Sequence, residues 1–460
     1  MPVVLGIPPA IMQLVQQGLL ERAFHDGLYP NLAYRSEAMA EEWPANTGGE
    51  IFMSRPGLLA PIVKALIPGK DPDPQAISYE QWVARLDRYA GSIDVHMPTS
   101  VVANANLFMR NIHQLGLQAG QSVNRIVRNQ MFISYLSGST VLTVSAGASD
   151  TTIQVAALNG FADVVVPGTN VRPMPVSPSN PLPITIGTTV RNVVGFSPND
   201  PTDPNGPGVL ALSAAVGGAG YPARTAVLSA YRPTIIRTGG GDSVDAIGGG
   251  DSFVLQDAIN AVAILRRHNV QPHDDGFYHA HISPQANAQV FADHVFQRLN
   301  TALPEHVIYK EGFIGTISGI LFSMNTEAPE PVNAGDRVAT GTRAFYSNGI
   351  GAETTNESGT NIGRIIVTGK GTVYERWLNE ENYVSEAGIT GKVGDFDIVN
   401  NGISISTERI RLILRAPVDR LQDVVSAAWS ISTCFPVPSD VTASTGPERY
   451  KRGVIIEHAL

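Results

Sequence analysis

Residues 99–137 read TSVVANANLFMRNIHQLGLQAGQSVNRIVRNQMFISYLS. Phe108, Ile112, Leu115, Ala119, Val123 and Ile126 recur at steps of three and four, while Arg110, Gln114, Arg125 and Arg128 fall off that stripe. The spacing predicts a long amphipathic helix with one face in a core. Thr99 or Ser100 is placed to cap its start, and Ser137-Gly138 to end it.

Upstream, residues 1–20 carry no charge, but Pro2, Pro8, Pro9, Gln13, Gln16 and Gln17 interrupt them and no basic start precedes them. They read as a packed arm better than as a signal or membrane segment. Ile11, Leu14, Val15 and Leu19 predict a short helix after Pro8-Pro9, on an arm that needs a partner surface. Between Asn46 and Pro98, turn clusters alternate with runs such as Gly91 to Met97, which predicts a long two-stranded excursion. A lone hairpin is poorly stable in water, so it should lie on something else. Arg55, Lys64, Lys70, Arg85, Asp87 and Arg88 put charge on this coreless segment and are candidate subunit-interface residues.

Downstream, Thr140–Val144, Thr151–Val155, Val164–Val166, Ile184–Val194 and Val209–Leu212 are short β-type runs between Gly, Pro, Asn and Asp clusters. They predict a compact all-β domain inserted over residues 138–238. Gly239 to Gly241 and Gly248 to Gly250 then read as a flexible hinge over 239–252. From Phe253 the pattern is mixed. A helix is expected over Ala258, Ile259, Val262 and Leu265, then a strand from Phe277 to Ile282. Ser283-Pro284 should open a helix with Phe291, Val295 and Leu299 on one face. Arg364–Val367 and Ile403–Leu414 read as strands, and the fold class is α+β.

The 460-residue chain is 43% hydrophobic, which argues against disorder and against a polytopic membrane protein. Its net charge of -9 repels phosphate on average and speaks against dedicated duplex binding. The single cysteine, Cys434, cannot form an internal disulfide.

Catalytic signatures fail. There is no Gly-x-Ser-x-Gly elbow, His-Glu-x-x-His, phosphate-binding Gly-x4-Gly-Lys-Ser/Thr or EF-hand loop, and Gly218-Ala219-Gly220 lacks the third dinucleotide glycine. His268, His273, Asp274, Asp275, His279 and His281 cluster, and on a strand His279 and His281 would share a face as metal ligands must. No further ligand motif of fixed spacing accompanies them. Cys434, in apolar surroundings, reads as a buried filler. No catalytic, cofactor-binding or metal site is therefore expected.

Within Asp257 to Pro329, the runs Asp257-Ala258-Ile259-Asn260-Ala261, Leu265-Arg266-Arg267, Asp275 to Pro284 and Ile308 to Ile320 resemble major capsid proteins of tailed bacteriophages. Ala416 to Val425 followed by Ala428-Trp429-Ser430 is similar to a late segment of such coat proteins. The resemblance covers the second half by motif and the first half by order of elements. It implies a Hong Kong 97-like capsid fold with an N-terminal arm (1–45), an E-loop (46–98) and a spine helix of the P-domain (99–137). The inserted β-domain (138–238) and the hinge (239–252) would follow. An A-domain with part of the P-domain (253–415) and a C-terminal return segment (416–460) would close the chain.

Its implied function is a structural, non-enzymatic subunit that self-assembles into an icosahedral head around double-stranded DNA, in the virion, after assembly in the host cytoplasm. Its partners would be copies of itself in hexamers and pentamers, with portal, scaffolding and cement proteins. DNA would lie on the inner face without sequence-specific binding, and no membrane is involved. Covalent cross-linking from Lys64 or Lys70 is not expected. The rivals are a phage tail sheath or tube protein, and a secreted carbohydrate-active enzyme, which lacks an export signal and a carboxylate pair.

Overall fold

The computed structural model describes residues 18–28, 32–44, 47–57, 59, 61–77, 79–96, 107–164, 172–300, 314–329, 352–379, 391–393, 396–399, 402–407, 409–415, 424–440 and 449–460. The expected arm helix from Ile11 to Val15, the helix caps Thr99 and Ser100, and the runs 308–313 and 416–423 lie outside the described residues.

In chain order the first elements are α1 (Leu19–Leu28), β1 (Ala38–Glu42), β2 (Glu50–Pro56), β3 (Tyr79–Arg85), β4 (Asp87–His96) and α2 (Leu107–Tyr135). Next come β5 (Ser139–Val141), β6 (Thr152–Val155), β7 (Asp163–Val164), β8 (Met174–Pro175), β9 (Leu182–Ile186), β10 (Thr189–Pro198), β11 (Gly208–Leu212), β12 (Ala226–Ser229) and β13 (Ile235–Arg237). They are followed by α3 (Leu255–Arg267), β14 (Tyr278–Ile282), α4 (Pro284–Ala292), α5 (His294–Asn300), β15 (Gly315–Ile317), β16 (Ile320–Met324), β17 (Ile362–Thr368) and β18 (Val373–Trp377). The last are β19 (Gly391–Val393), β20 (Phe396–Val399), β21 (Gly402–Thr407), β22 (Ile410–Arg415), β23 (Val424–Cys434) and β24 (Gly453–Ala459).

The chain divides into two compact units, one of residues 1–51, 83–127 and 373–436 and the other of 52–82, 128–372 and 437–460. In the first, an eight-stranded sheet runs β1-β18-β23-β22-β21-β20-β19, with β4 also paired to β23. Leu20, Phe24 and Leu28 of α1 are fully buried. At the approach of α1 to α2 the backbones touch: a Cβ on Gly27 would lie 2.4 Å from the His113 carbonyl, and one on Gly116 2.3 Å from that of Phe24. Only glycine admits so close a crossing.

Two expectations are corrected in this unit. Residues 91–97 were expected in the two-stranded excursion, but β4 leaves it and pairs antiparallel with β23 from Asp87 to His96. Gly91 makes room there for the Trp429 indole, whose Nε1 would lie 2.6 Å from an added Cβ. Of the described residues of this excursion, β2 and β3 form a separate two-stranded ribbon. Ile403–Leu414 is two strands, because the chain reverses between Thr407 and Ile410 with Arg409 at φ 64°.

In the second unit, six strands run β5-β12-β9-β10-β11-β6, each antiparallel to its neighbours. The outer strands then meet. Leu142 bridges Val155, the Thr143 N–H donates to the Gln154 carbonyl at 3.0 Å, and the Ala156 N–H donates to that of Val141 at 3.0 Å. The sheet thus closes into a small barrel filled by Leu142, Ile153, Leu182, Ile184, Ile186, Val193, Leu210 and Val227, and closure leaves no edge to template pairing.

A second six-stranded sheet runs β13-β24-β17-β14-β16-β15. One core joins its Ala280, Ile282, Phe322, Ile365, Val367 and Ile456 to Ala258, Val262 and Leu265 of α3 and to Val290 of α4. Ser283 caps α4, its hydroxyl accepting from the Ala286 N–H at 3.0 Å. The single helix expected through Leu299 is broken at Asp293, whose carboxylate accepts from the Val295 N–H at 2.9 Å and the Leu255 N–H at 3.0 Å. Those bonds restart the chain as α5.

The glycine pair of runs is not a free hinge. The Thr238 hydroxyl donates to the Asp251 carbonyl at 2.7 Å, and Asn356 Nδ2 donates to the Ile247 carbonyl at 2.7 Å, with Ile247 1% exposed. Gly239, Gly240 and Gly241, at φ 81°, 83° and 94°, supply turns in a hydrogen-bonded loop. The α2 stripe also changes step: after Val123 it continues through the fully buried Val127, Met131 and Tyr135, leaving Ile126 half-buried.

Candidate interaction surface

The β2–β3 ribbon has two unlike faces. Met53, Glu80, Trp82 and Ala84 are buried, whereas Phe52, Tyr79 and Val83 on the other face are exposed. This alternation is the period of a strand pair with one side covered. The described residues 59 and 61–77 that join the strands contain no helix or strand.

That loop is both apolar and open. Ile62 is 75% exposed, Val63 89%, Leu66 61% and Ile67 61%. Residues 61–67 and 70–75 surround an open cleft of 560 Å³ lined by no other described residue. Single exposed aliphatics are ordinary, but a contiguous set marks a surface meant to be covered.

The ribbon's root is held by charge. Arg55 Nη2 donates to Glu80 Oε1 at 2.5 Å and also to Asp440 Oδ1, and its guanidinium lies 6.0 Å from the Trp82 ring centroid. Arg452 donates to the same Asp440 oxygen at 3.2 Å, so two carboxylates and two guanidiniums alternate. Burial pushes the Glu80 carboxyl above its ordinary range, Arg55 opposing and Asp440 adding to the shift.

The candidate interface residues therefore separate. Arg55 is turned inward and spent on Glu80 and Asp440. Lys64 and Lys70 lie exposed on the loop, Arg85 is exposed and 3.6 Å from Glu50, and Asp87 and Arg88 are exposed on β4. Sequence reasoning from charge missed the apolar surface. Its signal was the repeat of aliphatic doublets, Ile62-Val63 and Leu66-Ile67, in a stretch without strand alternation.

Cys434 is buried, and its thiol is pushed up to about 12 by burial, with Asp87 adding and Arg376 opposing, which suits a filler better than a nucleophile. Of the histidine cluster, His281 is buried at 1% exposure, while His273 and His279 stack on one another. Among the described residues no helix is long and apolar enough to cross a membrane.

No protein-family model and no curated protein matches the chain. Among solved structures it is similar to the capsid of cyanophage P-SCSP1u, with 11% identity over 92% of this chain and 86% of that one at a TM-score of 0.45. It is also similar to the cyanophage Pam1 capsid asymmetric unit, with 9% identity over 94% and 91% at a TM-score of 0.43. A third is the acidic stable capsid of Helicobacter pylori bacteriophage KHP30, with 7% identity over 94% and 90% at a TM-score of 0.45.

Proposed function

We propose that this chain is a shell subunit, the major capsid protein of a tailed bacteriophage, which self-assembles into the icosahedral head around double-stranded DNA. The observation that carries the reading is the ribbon loop, where Ile62, Val63, Leu66 and Ile67 are 61–89% exposed. Covering one such side chain is worth about 1.5 to 3 kcal/mol, so a neighbouring copy that covers the loop gains a large apolar contribution. Repetition over a closed shell multiplies the gain. The exposed charges Lys64, Lys70, Arg85, Asp87 and Arg88 would set the register of that contact, each pair adding about 0 to 1 kcal/mol.

The order of arm, ribbon loop, long helix and sheets supports the same reading, together with the motif resemblance in the second half of the chain. Hexamers and pentamers, portal, scaffolding and cement partners, and DNA against the inner face without sequence-specific contacts belong to this proposal.

The test is negative-stain microscopy of the purified full chain beside a variant in which residues 57–78 are replaced by a short glycine linker. Closed shells from the full chain and dispersed, folded subunits from the variant are expected. Tubes would replace the head reading with the sheath or tube alternative, and normal shells from the variant would remove the loop from the interface.

A further inference from the structure

We propose that Glu80 and Asp440 form a proton-binding site at the root of the β2–β3 ribbon, in which one proton taken from solvent below neutral pH joins Glu80 Oε2 to Asp440 Oδ2. Glu80 stands on β3, and Asp440 comes from the C-terminal part of the same compact unit. Each carboxylate spends one oxygen on a single donor, Arg55 Nη2, which lies 2.5 Å from Glu80 Oε1 and also reaches Asp440 Oδ1. The two acids therefore sit on either side of one nitrogen.

Their other oxygens point to the ligand. Glu80 Oε2 and Asp440 Oδ2 are buried and have no hydrogen-bond donor among the described residues. A buried acceptor left without a donor is costly, and two ionised carboxylates can only accept. A single proton turns one of them into a donor to the other and satisfies both atoms at once. Carboxyl groups that share a site hold such a proton more tightly than either would alone. Asp440 is at φ 58°, a backbone region that residues with side chains seldom adopt, and the Tyr450 N–H bond to the neighbouring Ser439 carbonyl at 2.9 Å helps to keep it there.

The surrounding groups leave the two oxygens to each other. Arg452 Nε donates to Asp440 Oδ1 at 3.2 Å, the oxygen already engaged, and its Nη1 donates to the Lys370 carbonyl at 2.5 Å. From α2, the Tyr135 hydroxyl gives its proton to the Thr372 carbonyl at 3.1 Å. Burial, with Asp440 adding and Arg452 and Arg55 opposing, keeps that phenol well above its ordinary range, so it stays neutral. Exposure decides the balance of charge. The Arg55 and Arg452 side chains are 20% and 26% exposed, whereas Glu80 is 1% and Asp440 6% exposed. Water screens the two cations and not the two anions, so neutralising an anion relieves the drier half of the cluster. The Glu80 carboxyl is accordingly raised, first by burial and then by Asp440, against the pull of Arg55 and Arg452. The site belongs to the single subunit and stands or falls apart from what covers the loop.

The test is infrared difference spectroscopy of the full chain titrated from pH 8 to pH 4, with the spectrum of Glu80→Gln subtracted from that of the unaltered chain. The carbonyl stretch of a protonated carboxylic acid should appear in the difference with a midpoint above 4.5, the ordinary value for glutamate. That midpoint belongs to the pair, so Asp440→Asn, which removes the negative neighbour and offers an amide donor, should lower it by about one pH unit or more. Denaturation gives a second readout. Because folding raises the affinity of Glu80 for a proton, its contribution to stability is present below 4.5 and lost as pH rises through the folded midpoint. The folding equilibrium of Glu80→Gln should therefore gain on that of the unaltered chain as pH rises, about tenfold for each unit by which the folded midpoint exceeds the ordinary one. A midpoint at or below the ordinary value, a midpoint unmoved by Asp440→Asn, or a stability difference that does not change with pH would each overturn the site.

Discussion

Arg55 and Glu80 meet across the β2–β3 ribbon at 2.5 Å, and Glu80 is 1% exposed. The charge expected to reach outward instead fastens the ribbon to its own subunit. Removing a partner from a buried pair leaves an uncompensated charge, so Arg55→Met should cost about 3 kcal/mol in chemical denaturation. A loss below about 0.5 kcal/mol, the range of ordinary surface changes, would mean the pair does not hold the root.

Ile62 and Val63 test the loop itself. Because both are exposed in the subunit, the double change Ile62→Asp and Val63→Asp should leave its thermal unfolding unchanged. Assembly should fail, and sedimentation velocity would record a monomer where the unaltered chain gives large particles.

His458 sets an acid limit. Burial holds its imidazole down to about 4, against 6.5 when exposed, and its Nε2 has no hydrogen-bond partner among the described residues. Between those values the unfolded chain binds more protons than the folded one, so stability falls as pH falls through that window. At 1.36 kcal/mol per pH unit the full loss is about 3 kcal/mol. The neighbouring Glu457 carboxyl is pushed up by burial, but Arg364 and Arg237 hold it below its ordinary range, which adds a loss at lower pH still. Denaturation midpoints measured from pH 7 to pH 4 should drop for the unaltered chain and drop less for His458→Gln.

Gly116→Ala should destabilise despite alanine's helix preference of about 1 kcal/mol. The new Cβ would lie 2.3 Å from the Phe24 carbonyl, a backbone atom that moves only if α1 shifts. A net loss of about 1 to 3 kcal/mol in denaturation is expected, whereas a gain would show that the helices separate without cost.

Residues 138–238 should fold alone, since the barrel has its own apolar filling and no open edge. A β-type circular dichroism spectrum with a cooperative melt is expected of the fragment. A flat melt would mean that contacts such as Arg224 with Asp245 and Glu353 hold the barrel from outside.

What the sequence disclosed and what it hid follow from range. The α2 stripe and the Ser283 cap are local patterns, and both were readable within a few turns of chain. The barrel's strand runs were readable too, but its closure, Leu142 against Val155, was not, because an isolated bridge has no period. Asp440 lies 385 residues from Arg55, and nothing near Arg55 announces it. Arg409 reverses β21 into β22 without glycine or proline, so the hairpin looked like one strand. Asp293 stops a helix through bonds to Leu255, which is distant in sequence.

The Arg237 guanidinium donates to the Ser139 hydroxyl at 3.1 Å, which places the chain's entry to the barrel beside its exit. A Cβ on Gly138 would also lie 3.5 Å from the Arg232 Cα, so a bridge of a few residues could join Ser137 to Pro233 and leave β13 in its sheet. Such a join would be a single splice that leaves the path of the remaining chain continuous, the arrangement in which insertion or removal of a domain is tolerated.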